Sequence, residues 1–296
     1  MNSSNQSGEL SASGASQWKL TLAYDGTDYS GWQVQPGQTT IQGELQAALE
    51  RVTGESPLPQ GSGRTDAGVH ALAQVASFGL RSPIPAENLR RALNRTLPAA
   101  IRVTEAGRVP ASFHARHSAV AKTYEYRVFP ERRRTGPAEG DSDSAALCPP
   151  FLARYVYSYP WPLDFAALDE AAGAFVGTHD FSSFAATDPD KSARSGEAAG
   201  EMEEDPEAQP TAVRTIFGSQ WEQRHTEDGL LPVYRVRGNG FLHHMVRNLV
   251  GTMLDMGRGY RQADEIPGMI AARARAAAGP TAPARGLFLH SVEYPR

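Results

Sequence analysis

The sequence predicts an α+β protein: two strand–helix–strand pseudo-repeats, a largely antiparallel sheet with helices packed on it, and a cleft between the repeats. Three observations predict it. Two-residue alternation of apolar and polar side chains recurs along the chain. Amphipathic stretches of helical period separate the alternating segments. The order strand, helix, strand then begins again near residue 119, which favours helices layered on antiparallel sheet. The 296 residues suffice for one large or two medium domains. We divide them into a disordered tail at 1–17, an N-terminal domain at 18–115 and a C-terminal domain at 116–296.

Residues 18–24 alternate as a strand. After a polar loop at 25–38, Thr39 or Thr40 can cap a helix and Glu44 can close a capping box. Ile41, Leu45, Ala48, Leu49 and Val52 form its apolar stripe, and Gly54 ends it. Residues 60–71 are Gly-rich and irregular, and 75–80 read as a strand. Pro85 opens a helix at its first turn, with Leu89 and Leu93 inward. Residues 101–109 read as a strand. In the second round Tyr124, Tyr126 and Val128 share one strand face, and Thr123, Glu125 and Arg127 share the other. A charged loop follows at 132–150, then a short helix at 163–175. Residues 186–210 are an acidic, low-complexity insert expected to be disordered. Strands are expected at 213–223 and 231–237. The clearest helix is 241–256, where Leu242, Met245, Val246, Leu249, Val250, Met253 and Leu254 form a buried stripe. A last helix at 264–277 and a strand at 287–292 close the chain.

Composition limits the function classes. The single cysteine, Cys148, excludes an internal disulfide framework and a CxxC metal site, and it fits a reducing, cytoplasmic compartment. The Ser/Gly/Asn-rich N-terminus has no basic and apolar regions of a signal peptide, and no apolar stretch is long enough to span a bilayer. Net charge is −4, but residues 188–207 alone carry −6, so the remainder is mildly basic at +2. Of 29 basic residues only Lys19, Lys122 and Lys191 are lysine, a bias that fits a GC-rich coding sequence.

The sharpest string is Gly61-Ser62-Gly63-Arg64-Thr65-Asp66-Ala67-Gly68-Val69-His70-Ala71. Glycines at 61, 63 and 68 permit unusual dihedrals and close approach of a ligand. An aspartate in such a loop can face a substrate, and a guanidinium two residues upstream favours its ionised, nucleophilic form. A tight turn with a capping aspartate and a surface ion pair is the competing reading of the same string. Arg247 lies off the apolar stripe of its helix, on the side of His243 and Gly251, where it can face a cleft or solvent. Tyr124, on the face of Tyr126 and Val128, reads by itself as a core tyrosine. His243 and His244 are adjacent, so on a helix they point apart; with no third ligand at a useful spacing, no metal site is expected.

The segment Gly63 to Ala71 resembles the catalytic motif of the TruA family of tRNA pseudouridine synthases. So do its flanks: Tyr24-Asp25-Gly26-Thr27 with Tyr29-Ser30-Gly31-Trp32-Gln33, the run from Thr39 to Leu49, Phe113-His114-Ala115-Arg116, and Ala121-Lys122-Thr123-Tyr124-Glu125-Tyr126. Further on, Asp180-Phe181-Ser182-Ser183-Phe184, the run from Gly240 to Asn248, and Ala282-Pro283-Ala284 with Gly286-Leu287 also match. The resemblance implies the pseudouridine synthase fold and isomerisation of uridine to pseudouridine in the anticodon stem-loop of tRNA, at positions 38 to 40. It implies Asp66 as nucleophile and Arg64 beside the flipped nucleotide. Tyr124 would stack on the target base, and Arg247 would be the arginine that pairs with the catalytic carboxylate. It also implies a homodimer whose two subunits share one tRNA. Substrate and product are isomers, so no cofactor is expected. The target nucleotide must leave the stem, at a cost of a few kcal/mol recovered by stacking and pocket contacts. Whether Asp66 attacks C6, attacks C1′ or assists loss of the 2′ hydrogen stays open. Arg81, Arg90, Arg91, Arg95 and Arg116 are candidates for phosphate contacts. The long acidic insert and the 131–149 loop depart from the family pattern without touching these motifs.

Two other classes compete. A non-catalytic RNA-binding or RNA-folding protein on the same scaffold is disfavoured by the intact Asp66, Arg64 and Tyr124. An aspartate hydrolase needs a second Asp-x-Gly loop to supply a partner carboxylate, and Asp25-Gly26 and Asp228-Gly229 lack the flanking pattern.

Overall fold

The computed structural model describes residues 14–131, 146–186, 211–226 and 229–295. Most of the expected tail and acidic insert, and of the 132–150 loop, therefore lies outside the described residues. Ser16 and Gln17, assigned above to the tail, belong instead to the first strand, because their backbones pair with Gly79 and Leu80 across the ladder. The chain forms two compact units: the residues up to Val120 together with those from Leu289, and Ala121–Phe288. As expected for α+β, each unit carries helices with antiparallel strand pairs.

In the first unit the strands are β1 (Ser16–Tyr24), β2 (Gln60–Gly61), β3 (His70–Leu80) and β4 (Ile101–Val109). β1 pairs antiparallel with β3 on one side and β4 on the other, and β2 adds to β3. The residues from Leu289 of β10 (Leu287–Glu293) run beside β3. Alternation in β1 sends Trp18, Leu20 and Leu22 into the core with no exposure, while Lys19 and Thr21 stay half-buried. Helix α1 (Ile41–Thr53) starts at Thr40, whose hydroxyl accepts from the Gly43 amide, and stops at Gly54 in the left-handed conformation, φ 76°. With Thr40 as cap, the third helical position is Gly43, so Glu44 cannot close a capping box. Ile41, Leu45, Ala48 and Leu49 are buried as expected. Helix α2 (Ala86–Thr96) begins one residue after Pro85, which serves as its cap, and buries Leu89 and Leu93.

In the second unit β5 (Ala121–Pro130), β9 (Gly229–Gly238), β8 (Val213–Thr226) and β7 (Gly177–Asp180) lie side by side in that order, antiparallel throughout. The short β6 (Tyr157–Tyr159), not expected from the sequence, pairs parallel with the end of β5. Asp164 caps α3 (Phe165–Gly173) by accepting from the amides of Ala166 and Ala167. Helix α4 (Met245–Gly257) packs on α3 and buries all its residues except Arg247, which is half-buried. It is thus buried almost all round rather than along the apolar stripe alone, with Asn248, Thr252 and Asp255 as buried polar side chains. It also starts four residues later than its periodicity implies. His244 takes φ 57°, a left-handed conformation that no helix can pass through, so Phe241, Leu242 and His243 lie outside it.

The expected last helix is broken as well. Its central turns form α5 (Ile266–Ala272), flanked by 3-10 turns at Ala263–Glu265 and Arg275–Ala277. Tertiary bonds explain the break: Arg273, at φ 48°, places Nε 3.0 Å from Asp180 Oδ2, and the Ala274 amide donates to Ser183 Oγ at 2.9 Å. These contacts override the helix preference of an alanine-rich run.

A buried ionic cluster spans β5, β8 and β9. The Glu125 side chain is 1% exposed and opposes Arg235 across the ladder. Arg224 donates to both its oxygens, at 3.0 and 2.6 Å, and Arg127 donates from Nε at 2.8 Å. Arg235 donates at 3.2 Å, and Glu222 shares Arg224 and Arg235. Burial alone would raise the carboxyl's proton affinity. The hydrogen bonds and charges of Arg224 and Arg127 outweigh it and hold Glu125 at about 2.

Candidate active site

Asp66 and Arg64 occupy the turn between β2 and β3 in the first unit, Asp66 half-buried and Arg64 exposed. The turn is fixed by buried polar groups that the sequence pattern did not single out. Gln74 of β3 is fully buried. Its Oε1 accepts from Ser62 Oγ at 2.6 Å and from the Val75 amide at 3.1 Å, and its Nε2 donates to Gly63 O at 2.8 Å. Tyr24 Oη lies 2.9 Å from Thr65 Oγ1. Burial pushes the Tyr24 hydroxyl well above the usual phenol range, so it remains protonated. Backbone bonds complete the frame: Ser62 N to Val75 O at 2.7 Å, Trp32 N to Thr65 O at 3.0 Å and Val69 N to Asp66 O at 3.1 Å. Thr65 before the half-buried Asp66, and Gly68 and Val69 after it, are thereby tied down, which limits the cost of ordering the turn when a ligand arrives.

The three glycines of the turn do different things. Only Gly68 takes a positive φ, 76°. Gly61 lies in β2, and a Cβ there would come within 2.6 Å of the Trp32 indole. Gly61, whose φ is not positive, is therefore glycine because a buried ring occupies its side-chain space. A buried Gln in a strand of small and apolar residues was the one sequence signal for this frame.

Tyr124 and Arg247 belong to the second unit. Tyr124, on β5, is 8% exposed and meets Phe241 edge-on, with ring centroids 5.1 Å apart at 80°. Tyr126, two residues on and on the same face, is fully buried and donates from Oη to Pro283 O at 2.7 Å. Burial raises its pKa, against which the positive charge of Arg247 acts. Arg247 Nε donates to Ala282 O at 2.7 Å, and the Ala282 amide donates to Arg247 O at 3.1 Å. The helix side that carries Arg247 and Gly251 is therefore covered. A Cβ on Gly251 would collide with Pro280 O, so residues 280–282 lie directly on α4 there. His243 does not share that side, since it precedes the helix. The His243 and His244 rings, expected to point apart, lie face to face with centroids 3.9 Å apart and a 31° tilt. The left-handed turn at His244 brings them together.

The candidate phosphate contacts divide. Arg90 and Arg91 both bind the Glu87 carboxylate, at 2.8 to 2.9 Å, and Arg81, Arg91, Arg95 and Arg116 are exposed. The backbone amides of Arg81 and Ser82 hold the Glu55 carboxylate. No helix of the described residues is long and apolar enough to cross a membrane.

The α+β fold thus meets the expectation raised by the motifs, and Asp66 lies on a glycine-bounded turn. Comparison places it: residues 21–118 and 171–295 match the family model described as tRNA pseudouridine synthase, and the chain belongs to that family. Asp66, Arg64 and Arg247 fall inside the matched stretches, and Tyr124 falls between them. The chain is 49% identical to tRNA pseudouridine synthase A of Solibacter usitatus over 277 residues, 93% of this chain and 98% of that protein. It is 42% identical to the protein of that name from Moorella thermoacetica and 41% identical to that from Bacillus pumilus. Each of these matches covers 93% of this chain and 98% of the relative.

Proposed function

We propose that this chain isomerises uridine to pseudouridine in tRNA, in the anticodon stem-loop at positions 38 to 40, with Asp66 as the nucleophile. The observation that carries the reading is the Asp66 turn: a half-exposed carboxylate on a backbone held from both sides, within a stretch matched by the family model. The reaction balances without a second reactant. The bond from N1 to C1′ breaks, the base turns, C5 bonds to C1′, C5 loses a proton and N1 gains one. Arg64, exposed beside Asp66 on the same turn, is suited to the backbone or flipped base of the extruded nucleotide. Tyr124 offers an aromatic face for the target base, and Arg247 a cation for the reacting carboxylate. The same reading takes the enzyme to be a cytoplasmic homodimer, and sedimentation of the purified chain tests the dimer.

The experiment uses tRNA transcribed with uridine tritiated at C5. Isomerisation frees that tritium, and binding alone does not, so release separates this reading from a non-catalytic RNA-binding protein. Asp66→Asn is expected to abolish release while tRNA binding survives, and release at the wild-type rate would remove the nucleophile assignment. Affinity for tRNA is expected to fall steeply as salt rises, because phosphate contacts release counterions.

A further inference from the structure

Residues 278–283 run as a strap over α4 in the second unit, and the strap is held by a closed set of hydrogen bonds that the proposed chemistry leaves unexplained. Arg275 is its hub. Its Nη1 donates to Gly279 O at 2.9 Å, and its Nη2 donates to Asn248 Oδ1 at 3.0 Å and to Thr281 Oγ1 at 2.9 Å. Thr281 Oγ1 passes its own proton to Asn248 Oδ1 at 2.6 Å. Asn248, fully buried on α4, donates from Nδ2 to Phe184 O at 2.7 Å. Thr252, also fully buried, donates to Asn248 O at 2.7 Å and accepts from the Gly279 amide at 2.9 Å. Each hydroxyl donates once and accepts once, so the proton pattern of the network is fully determined. The strap lies close enough to the helix that a Cβ on Gly279 would stand 2.7 Å from Thr252 Cα.

The far end of the strap reaches Arg247. Ala282 O accepts from Arg247 Nε, and the Ala282 amide donates back to Arg247 O. The Nε–H bond lies in the guanidinium plane, so the position of Ala282 O sets the direction in which the two Nη groups point. One residue further, Pro283 O accepts from Tyr126. We infer that Arg275 is a positioning residue for the isomerisation: with Asn248 and Thr281 it clamps the strap to α4, and the strap aims the Arg247 guanidinium. The inference rests on the role proposed above for Arg247. Arginine suits the task because its planar fork reaches a carbonyl, an amide oxygen and a hydroxyl from two fixed nitrogens, whereas a lysine offers one rotatable ammonium. Its partners here are neutral oxygens rather than a carboxylate, so no ion pair fixes it.

The test is tritium release by full-length Arg275→Ala, Thr281→Val and Arg247→Lys, each at saturating and at limiting tRNA, with melting recorded alongside. A displaced guanidinium costs turnover more than binding. We expect kcat of Arg275→Ala to fall about 10- to 100-fold, as misplacement by about 1 Å does elsewhere, while KM for tRNA stays within about threefold. Thr281→Val, which keeps the side-chain shape, loses a smaller factor in the same parameter and carries the test should Arg275→Ala not fold. In an Arg247→Lys background the Arg275→Ala loss shrinks to less than about threefold, because the group being aimed is gone. A purely structural arginine would lower melting and leave kcat at its wild-type value below the transition. Wild-type kcat in Arg275→Ala and Thr281→Val, with Arg247→Lys impaired, would overturn the clamp alone. Wild-type turnover by Arg247→Lys would overturn the role of Arg247 and the clamp with it.

Discussion

Replacing Glu125 by glutamine removes one charge and little volume from the cluster on β5, β8 and β9. In the folded chain its carboxyl is held near 2, against an ordinary 4.5, by Arg224 and Arg127 in spite of its burial. At about 1.4 kcal/mol for each tenfold change in proton affinity, that difference stabilises the fold by roughly 3 kcal/mol at pH 7. The folded value lies below the unfolded one, so the contribution is complete above about pH 4.5 and lost as pH falls towards 2. At pH 3 the folded carboxylate is still mostly ionised and the unfolded one mostly protonated, leaving roughly 1 kcal/mol. Glutamine mimics the protonated form at every pH and leaves three guanidiniums around a neutral amide, the costly way to break a buried pair. Urea unfolding of both proteins at pH 7 and pH 3 measures the effect. The stability gap should narrow from roughly 3 to roughly 1 kcal/mol between those pH values. A gap of the same size at both, or none at pH 7, would refute the account of a charged, arginine-held Glu125.

Gly61→Ala pushes a methyl to within 2.6 Å of the Trp32 indole, which is itself only 2% exposed and cannot retreat. A loss of about 1 to 3 kcal/mol by thermal or urea unfolding is expected, with reduced tritium release because the Asp66 turn starts there. Thr40→Ala leaves the Gly43 amide without its side-chain acceptor and should cost about 1 kcal/mol, whereas Thr40→Ser should recover most of it in the same unfolding assay.

The sequence by itself determined whatever depends on neighbours a few residues apart. The β1 alternation, a threonine cap at 39 or 40, the stop at Gly54 and the inward Leu89 and Leu93 all follow from local backbone sterics and the spacing of apolar side chains. The Asp66 string is also compact enough to stand out in the sequence, although by itself it reads equally as a tight turn, and its proposed role comes from the family resemblance. Only the tertiary structure decided where local preference yields. The apolar period runs back through Leu242, yet α4 begins at Met245, because His244 turns left-handed and stacks the two histidines. The alanine-rich run at 271–278 favours helix, yet Asp180 and Ser183 draw its middle out of line. The groups that hold the candidate site were equally out of reach: Gln74 binds residues 11 and 12 positions before it, and Arg275 binds Asn248 27 positions before it. The physical reason is that a side chain's periodicity is fixed within one or two turns of chain, whereas its hydrogen-bond partner is chosen only when distant segments pack and buried polar atoms must be satisfied.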